Sequence, residues 1–206
     1  MNWDAILFDF DGVLADTEPL HWRCWNEILE PFSIQLSWET FQRECIGVSD
    51  RALIERLVAQ GQPPIKFDEL WARYPRKKEL FRTRIAEAPP FLAATVTLVR
   101  ELSQSYKLAV VTSSARVEIE PALINGEIRA CSQELVCGKE VENLKPAPDP
   151  YLKAAELLGA RNPLVVEDSD SGVASARAAG FGVLRISDVQ GMARAVRGHL
   201  SAKCNF

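Results

Sequence analysis

The sequence predicts an α/β fold: a doubly wound parallel sheet with a second, helical domain inserted after the first strand. Short apolar runs that do not alternate with polar residues recur along the chain, as expected for strands covered on both faces. Helical patterns separate most of these runs, and one long helical stretch follows the first. Alternating strands and helices favour a parallel sheet with right-handed crossovers, and a helical block inside that pattern is most simply a second small domain.

Each element is predicted from its own pattern. The strands are Trp3–Asp9, Lys107–Thr112, Leu135–Val136, Leu164–Val166 and Gly182–Ile186. The helices of the insertion are Pro19–Leu29, Trp38–Cys45, Asp50–Ala59 and Asp68–Ile85. Three further helices cover the sheet, Ala94–Ser103, Tyr151–Leu158 and Ser171–Ala179, and Val189–Arg197 is the last one. We therefore predict a sheet domain of residues 1–15 and 89–206 and a helical domain of residues 16–88.

Composition and charge exclude several classes of function. The 206 residues carry a formal net charge of −4 and no basic tail, which argues against a nucleic-acid partner. No apolar run approaches the roughly 20 residues of a membrane span, and no basic region precedes the first apolar run as in a signal peptide. The five cysteines include no C-x-x-C pair, which favours a reducing, cytoplasmic setting over disulfides or a zinc site.

Polar residues gather where the predicted strands end. Asp9 and Asp11 close the first strand, and Thr112-Ser113-Ser114 follow the second. Lys145 comes after the third, and Glu167-Asp168 close the fourth. Ligands of open α/β sheets bind beyond the carboxyl ends of the strands, so these groups are expected at one edge.

Acids crowded at one edge repel each other unless a cation lies between them. Mg²⁺ prefers oxygen ligands and would also attract a phosphate ester. Hydroxyl groups, backbone N–H groups and a lysine can then hold the phosphoryl oxygens. One carboxylate can attack phosphorus to form an aspartyl-phosphate, while another exchanges protons with the leaving oxygen and with water.

Four segments resemble, in order, the motifs of the haloacid dehalogenase superfamily of phosphotransferases, in its branch with a helical cap after the first strand. These segments are DFDGVLADTEPLH, VVTSS, KPAPDPY and VVEDSDSGVASARAAG. Each follows a predicted strand, and together they span nearly the whole chain. One D-x-D pair is weak evidence, whereas four motifs in order are strong evidence. The resemblance implies a Rossmann-like core, a cap domain and Mg²⁺.

The resemblance also implies a role for each matching residue. Asp9 would be the nucleophile and a metal ligand, and Asp11 the general acid/base with its backbone carbonyl on the metal. Thr112 and Ser113 would hold the transferring phosphate, and Lys145 would neutralise it and orient Asp9. The remaining implied roles are Ser114 at the phosphate or substrate, Asp168 on the metal, and Glu167 beside it or acting through water.

Each of these segments also fits a purely structural role. Asp-Gly is a common turn signal, so Asp11-Gly12 fits a plain turn, although Gly12 comes too early for a calcium-binding EF-hand loop. Thr112-Ser113-Ser114 fits a cap of the next helix. Lys145 fits a solvated loop, and Glu167-Asp168 fits the start of a helix.

The helical domain offers weaker candidates. His21 lies in the first turn of the predicted helix Pro19–Leu29 and fits either the substrate cleft or a packing role. The segment Gly47-Val48-Ser49-Asp50-Arg51 resembles a substrate-recognition loop of such caps, so Gly47 and Arg51 are candidate substrate contacts. Ile46 stands where sugar-phosphate mutases of this branch tend to carry lysine, which argues against that activity. Arg116 is a further candidate contact to a phosphate or the substrate. A run of basic residues fits either a substrate-facing surface or a solvated helix face: Arg73, Arg76, Lys77, Lys78, Arg82 and Arg84.

The sequence thus predicts a Mg²⁺-dependent phosphatase of a small phosphorylated metabolite, acting as a monomer or weak homodimer. One alternative is a phosphomutase acting on a hexose phosphate. Another is a non-catalytic binding module on the same scaffold, which would not need the acid/base Asp11.

Overall fold

The computed structural model describes residues 3–46, 48–60 and 65–202. The chain forms two compact units, one of Met1–Thr17 with Ile85–Phe206 and one of Glu18–Arg84. The first contains the sheet and the second is helical. That the helical unit works as a cap domain stays a prediction.

The sheet has five parallel strands in the order β3-β2-β1-β4-β5. The strands are β1 Ala5–Asp9, β2 Lys107–Val111, β3 Glu134–Val136, β4 Pro163–Glu167 and β5 Gly182–Arg185. All five residues of central β1 are buried, because neighbours cover both of its edges and helices cover its faces. The α/β fold class predicted from the sequence is confirmed.

The helical unit packs around aromatic side chains. Its helices are α1 Glu18–Leu29, α2 Trp38–Glu44, α3 Asp50–Gln60, α4 Phe67–Trp71 and α5 Tyr74–Glu87. Trp25 of α1 is 1% exposed and stacks on Tyr74, with ring centroids 6.4 Å apart. Trp22 Nε1 donates a hydrogen bond to the Leu36 carbonyl at 2.8 Å and so fixes the connection between α1 and α2.

The sequence predicted one helix over Asp68–Ile85, and the structure divides it into α4 and α5. The break falls at Ala72 and Arg73, directly before Tyr74-Pro75. Proline has no N–H to donate to the preceding turn, so it is tolerated only in the first turn of a helix. A new helix therefore starts at Tyr74 instead of the first continuing.

In the described residues, the helices that accompany the sheet are α6 Ala93–Leu102, α7 Arg116–Asn125, α8 Asp149–Leu158, α9 Asp170–Ala178 and α10 Val189–Ser201. Tyr151, Ala154 and Leu158 of α8 form one buried cluster with β-strand residues such as Leu7 and Val165. Gly180, at φ +79°, ends α9 as predicted, because glycine adopts the left-handed conformation without strain. None of the helices in the described part of the chain is long and apolar enough to cross a membrane.

Helix α7 was not among the predicted elements. Pro121 lies inside it and argues against a helix in any sequence-based reading. The helix forms because Ile119, Ala122 and Leu123 share one face and are buried completely. Tertiary burial here outweighs the local propensity.

Candidate active site

The loop after β1 carries the first two acids. Asp9 is the last residue of β1, and Gly12 turns the chain at φ +76°. A Cβ atom on Gly12 would lie 2.1 Å from Asp168 Oδ2, so glycine is required for the Asp168 carboxylate to approach the loop. The Asp11 carboxylate accepts hydrogen bonds from Thr17 Oγ1 at 2.7 Å and from Ser114 Oγ at 3.4 Å.

Lys145 joins the first strand to the fourth. Its Nζ atom bonds Asp9 Oδ1 and, at 2.7 Å, Glu167 Oε1. The exposed fractions of the three side chains are 5% for Lys145, 11% for Asp9 and 0% for Glu167. An ammonium group between two carboxylates compensates charges that would be costly to bury alone. The structural alternative of a solvated loop lysine is therefore wrong.

The pKa values reflect this burial. Burial raises the pKa of Asp9 well above its ordinary value, because desolvation outweighs the attraction of Lys145. Burial alone would raise the pKa of Glu167, but the charge and hydrogen bond of Lys145, together with hydrogen bonds from Ser169 and Tyr151, outweigh burial and the net shift is downward. Burial alone would lower the pKa of Lys145, but the two carboxylates outweigh it and raise the value. The single positive charge of Lys145 is thus shared by Asp9 and Glu167, and it does not fully offset the cost of burying the negative charge of Asp9.

Three carboxylates offer a place for a cation. Asp9, Glu167 and Asp168 each present one oxygen, and these oxygens lie within 4.8 Å of one another. Burial, followed by the charge of Glu167, raises the pKa of Asp168 to about 6. Three hard oxygen donors, of which Asp9 and Asp168 have raised pKa values, suit Mg²⁺, because a bound cation would favour their ionised forms.

Glycine and serine of α9 support this acidic group. A Cβ atom on Gly172 would lie 1.6 Å from Glu167 Oε1, so the absence of a side chain there makes room for the carboxylate. Ser169 caps α9, since its Oγ atom accepts a hydrogen bond from the Gly172 N–H at 3.0 Å. The helix-start interpretation of this segment and a metal site are compatible.

The loop after β2 is held from two sides. Thr112 is 2% exposed, and its Oγ1 atom accepts a hydrogen bond from the Ser114 N–H at 3.0 Å. Ala115, not Thr112, is the N-cap of α7 and makes no side-chain cap bond. The Ser113 carbonyl lies close above Gly138, whose N–H donates to the Ser114 carbonyl at 3.1 Å. The loop therefore has a fixed shape at the sheet edge.

Arg116 supports that loop by contacts within the sheet unit. Its guanidinium donates to Glu140 at 2.6 Å, to Glu120 at 3.1 Å and to the Leu135 carbonyl at 2.6 Å. The hydrogen bond from Arg116 lowers the pKa of Glu140. These bonds tie the start of α7 to the segment after β3, so a structural role explains Arg116.

The candidates of the helical unit have partners inside that unit. His21 stacks on Phe81 with ring centroids 4.0 Å apart, and its Nδ1 atom lies 3.1 Å from Lys77 Nζ. Arg51 pairs with Glu55 at 3.0 Å and lies over the Phe67 ring. Gly47 lies outside the described residues.

Lys77 is buried, although the basic run to which it belongs was expected to form a solvated helix face. Its side chain is 4% exposed, and Nζ donates to Asp50 Oδ1 at 3.1 Å. The Asp50 carboxylate also accepts a hydrogen bond from the Tyr74 hydroxyl at 2.8 Å. The prediction of a solvated basic face is wrong for Lys77, because Asp50 provides a partner charge within the helical unit.

The burial of His21 predicts that the helical unit loses stability at acidic pH. Burial, followed by the Lys77 charge, lowers the pKa of His21 to about 3. An unfolded histidine binds a proton below about pH 6.5, so protonation favours the unfolded chain and stability falls as pH drops from there. At pH 5.5 the loss is about 1.4 kcal/mol.

Urea unfolding of the wild type and of His21→Asn at pH 7.5 and pH 5.5 would measure this loss as the difference between the two proteins, since the raised pKa values of Asp9 and Asp168 act in the opposite direction in both. We expect His21→Asn to reduce the difference between the two pH values, although it also removes the ring contact with Phe81. The chain has two histidines, and the other one stacks on Trp3, so His199→Asn is the matched control and should leave the contribution of His21 in place. A decline that survives in His21→Asn and disappears in His199→Asn would contradict the assignment.

Comparison with known proteins decides the family. The family model described as haloacid dehalogenase-like hydrolase matches residues 6–186. The chain belongs to this family. The sequence is 29% identical to a phosphorylated carbohydrates phosphatase of Thermotoga maritima over 86% of this chain and 82% of that protein. It is 31% identical to a Drosophila melanogaster protein named a probable pseudouridine-5'-phosphatase, over 88% of this chain and 80% of that protein.

A solved structure agrees with these relatives. The crystal structure of CbbY from Rhodobacter sphaeroides in complex with phosphate superposes with a TM-score of 0.69 at 26% identity. The match covers 88% of this chain and 85% of that one. The family and the enzyme class predicted from the sequence, a haloacid dehalogenase-like hydrolase of phosphoric monoesters, are confirmed.

The structure brings most of the predicted site residues together. Asp9, Lys145 and Glu167 are linked by ion pairs, Asp168 lies beside them, and Asp11 contacts Ser114. His21 and Arg51 belong to the helical unit, and their chemical roles stay predictions, as do the roles of the sheet residues. Sequence reasoning missed Tyr151 as a site residue: its hydroxyl donates to Glu167 Oε1 at 2.9 Å, and its only sequence signal was its place in KPAPDPY.

Proposed function

We propose that this enzyme is a Mg²⁺-dependent phosphatase that hydrolyses a small phosphorylated metabolite through an aspartyl-phosphate on Asp9. The observation that carries the proposal is a buried group in which Lys145 bridges Asp9 and Glu167, while Asp9, Glu167 and Asp168 each present an oxygen within 4.8 Å of the others. A structural ion pair would need one carboxylate, whereas this arrangement has an excess of acid that a cation would neutralise.

The residues at the sheet edge fit the two steps of such a reaction. The Asp9 carboxylate attacks phosphorus, the bond from phosphorus to the ester oxygen breaks, and Asp11 gives that oxygen a proton. Asp11 then takes a proton from water, whose oxygen attacks the phosphoryl group and releases orthophosphate and the free Asp9 carboxylate. The hydrogen bonds from Thr17 and Ser114 keep the Asp11 carboxyl oriented.

The remaining groups bind charge. Lys145 stabilises the Asp9 carboxylate and the anionic phosphoryl oxygens, while Thr112 and the Ser113 N–H would hold those oxygens at the β2 end. Mg²⁺, held by Asp9, Asp168 and the Asp11 carbonyl, would supply the positive charge that draws in the phosphate and offsets its negative charge in the transition state. Glu167 would complete the acidic group.

The relatives support a small phosphorylated metabolite as substrate. One is named for phosphorylated carbohydrates and another for a nucleoside phosphate, and the similar CbbY structure holds phosphate. The four cysteines in the described residues are free, which fits a cytoplasmic enzyme. A monomer or weak homodimer stays our prediction.

A phosphate-release screen tests the function. The panel contains sugar phosphates, nucleotides and small phosphorylated acids, with Asp9→Asn as the blank. Release of orthophosphate from at least one class supports a phosphatase. An isomeric sugar phosphate without orthophosphate would instead identify a mutase, and no product from any substrate would favour a binding module.

Metal removal should stop turnover. We expect EDTA to reduce phosphate release to the level of the blank and added Mg²⁺ to restore it. Asp168→Asn should raise the Mg²⁺ concentration for half-maximal activity at least about 10-fold, because a ligand charge is lost. Mg²⁺ should also raise the melting temperature of the wild type more than that of this variant. Full activity in EDTA would exclude the metal role.

A further inference from the structure

The Glu167 carboxylate is surrounded by hydrogen-bond donors. Its Oε1 atom accepts from Lys145 Nζ at 2.7 Å and from the Tyr151 hydroxyl at 2.9 Å. Its Oε2 atom accepts from the Asp168 N–H at 2.9 Å and from the N–H and Oγ of Ser169, both at 3.0 Å. A carboxylate has about four lone-pair positions, so these donors fix its orientation. Glu167 therefore serves as a rigid buried anion against which Lys145 is placed.

Tyr151 contacts this ion pair in two ways. It is 0% exposed and lies in the first turn of α8, which follows directly on the segment that carries Lys145. Its ring centroid lies 4.9 Å from Lys145 Nζ, and its hydroxyl donates to the same Glu167 oxygen that Lys145 contacts. Ring face and hydroxyl thus act on the two partners of one salt bridge.

The buried ring alone does not require the hydroxyl. The other members of its cluster are apolar, including Ala154, Leu158 and Val165, so phenylalanine would satisfy the packing. A buried phenol is retained without penalty only where its O–H has a partner, and here that partner is the site carboxylate. The contact of the Tyr151 hydroxyl with Glu167 therefore indicates a role at the reaction site, whereas packing of the sheet unit requires only the ring.

We propose that Tyr151 is a positioning residue, whose hydroxyl holds Glu167 so that the Lys145 ammonium stays against Asp9. The inference rests on the proposed function, in which Asp9 is the nucleophile. Without the hydroxyl, Glu167 Oε1 keeps Lys145 as its remaining donor and draws the ammonium away from Asp9. Misplacement of a reacting group by about 1 Å can lower the rate about 100-fold, so the chemical step should suffer more than substrate binding.

Tyr151→Phe tests this role, with Ser132→Ala as the matched control. The Ser132 hydroxyl is also buried in the sheet unit and donates to the Ile128 carbonyl at 3.1 Å. Each variant loses one buried hydroxyl, but only Tyr151 touches the site. The measurements are a crystal structure of Tyr151→Phe, kcat and KM for a substrate found in the screen, and the melting temperature of both variants.

We expect Tyr151→Phe to lower kcat about 10-fold with KM changed less than about 2-fold. The crystal structure should show Lys145 Nζ displaced from Asp9 toward Glu167. Ser132→Ala should keep the wild-type kcat even if its melting temperature falls as much. An unchanged kcat in Tyr151→Phe, an unmoved Lys145, or an equal loss of kcat in Ser132→Ala would each overturn the inference.

The two proposals fail in different ways. If the wild type releases no phosphate from any substrate, the proposed function fails, and the position of Lys145 in the Tyr151→Phe crystal structure alone decides the positioning role. If the wild type is active, the kinetic and structural results must agree.

Discussion

Asp9→Asn is expected to lower phosphate release by about 10³-fold or more, because the amide cannot act as the nucleophile. The substitution also removes one charge from the proposed metal site. The amide fits the same volume, and the carboxylate it replaces is one whose pKa burial raises well above the ordinary value. The measurement is the release of orthophosphate from the best substrate of the screen.

The fold should survive this change. A carboxyl group with a raised folded-state pKa stabilises the protein when protonated and loses that contribution as pH rises through the folded-state pKa. At neutral pH without metal, the neutral amide therefore removes an unfavourable buried charge, and Lys145 keeps Glu167 as its partner. We expect the free energy of unfolding in EDTA to stay within about 1 kcal/mol of the wild type or to increase.

Asp188→Asn is the matched control. Asp188 caps α10 with a hydrogen bond from the Gly191 N–H at 2.6 Å, and asparagine caps helices equally well. Its activity should equal that of the wild type. Turnover by Asp9→Asn at the wild-type rate would refute the nucleophile, whereas lost activity in both variants would attribute the loss to folding.

The sequence predicts most of the catalytic edge because parallel strands place their carboxyl ends together. Asp9 ends a recognisable apolar strand and Asp168 directly follows another, so sheet topology predicts their proximity, whereas Lys145 was placed there by the KPAPDPY motif. Glu167 was predicted at the metal, but the number and identity of its hydrogen-bond donors depend on tertiary contacts. The sequence contains no local signal for those contacts.

The errors share that physical origin. Lys77 sits in a run of basic residues that is typical of a solvated helix face, yet Asp50, 27 positions earlier, makes its burial possible. Helix α7 was not predicted because Pro121 lies inside it and proline disfavours the interior of a helix. The helix forms because the burial of one apolar face outweighs this cost. Contacts between segments that are distant in the sequence account for both the burial of Lys77 and the formation of α7, and helix propensities do not.

Lys145→Met is expected to lower the free energy of unfolding by about 3 kcal/mol in EDTA, because it leaves Asp9 and Glu167 buried without their cation. The folded-state pKa of Asp9 would rise further and that of Glu167 would rise above its value in the unfolded chain, so stability is retained at acidic pH and lost as pH rises. The deficit measured by urea unfolding should therefore be smaller at pH 5 than at pH 8. Phosphate release should also fall to the level of the Asp9→Asn blank.

A second substitution separates charge from packing. Glu167→Gln added to Lys145→Met removes one of the two uncompensated charges, so the double variant should recover about half or more of the lost stability. It should not recover activity, because Asp9 still lacks the ammonium group that orients it. Lys139→Met, an exposed lysine of the same unit, should behave as the wild type. If the double variant is less stable than Lys145→Met, the deficit is a packing defect, and the view of Lys145 as the shared cation of two buried acids is wrong.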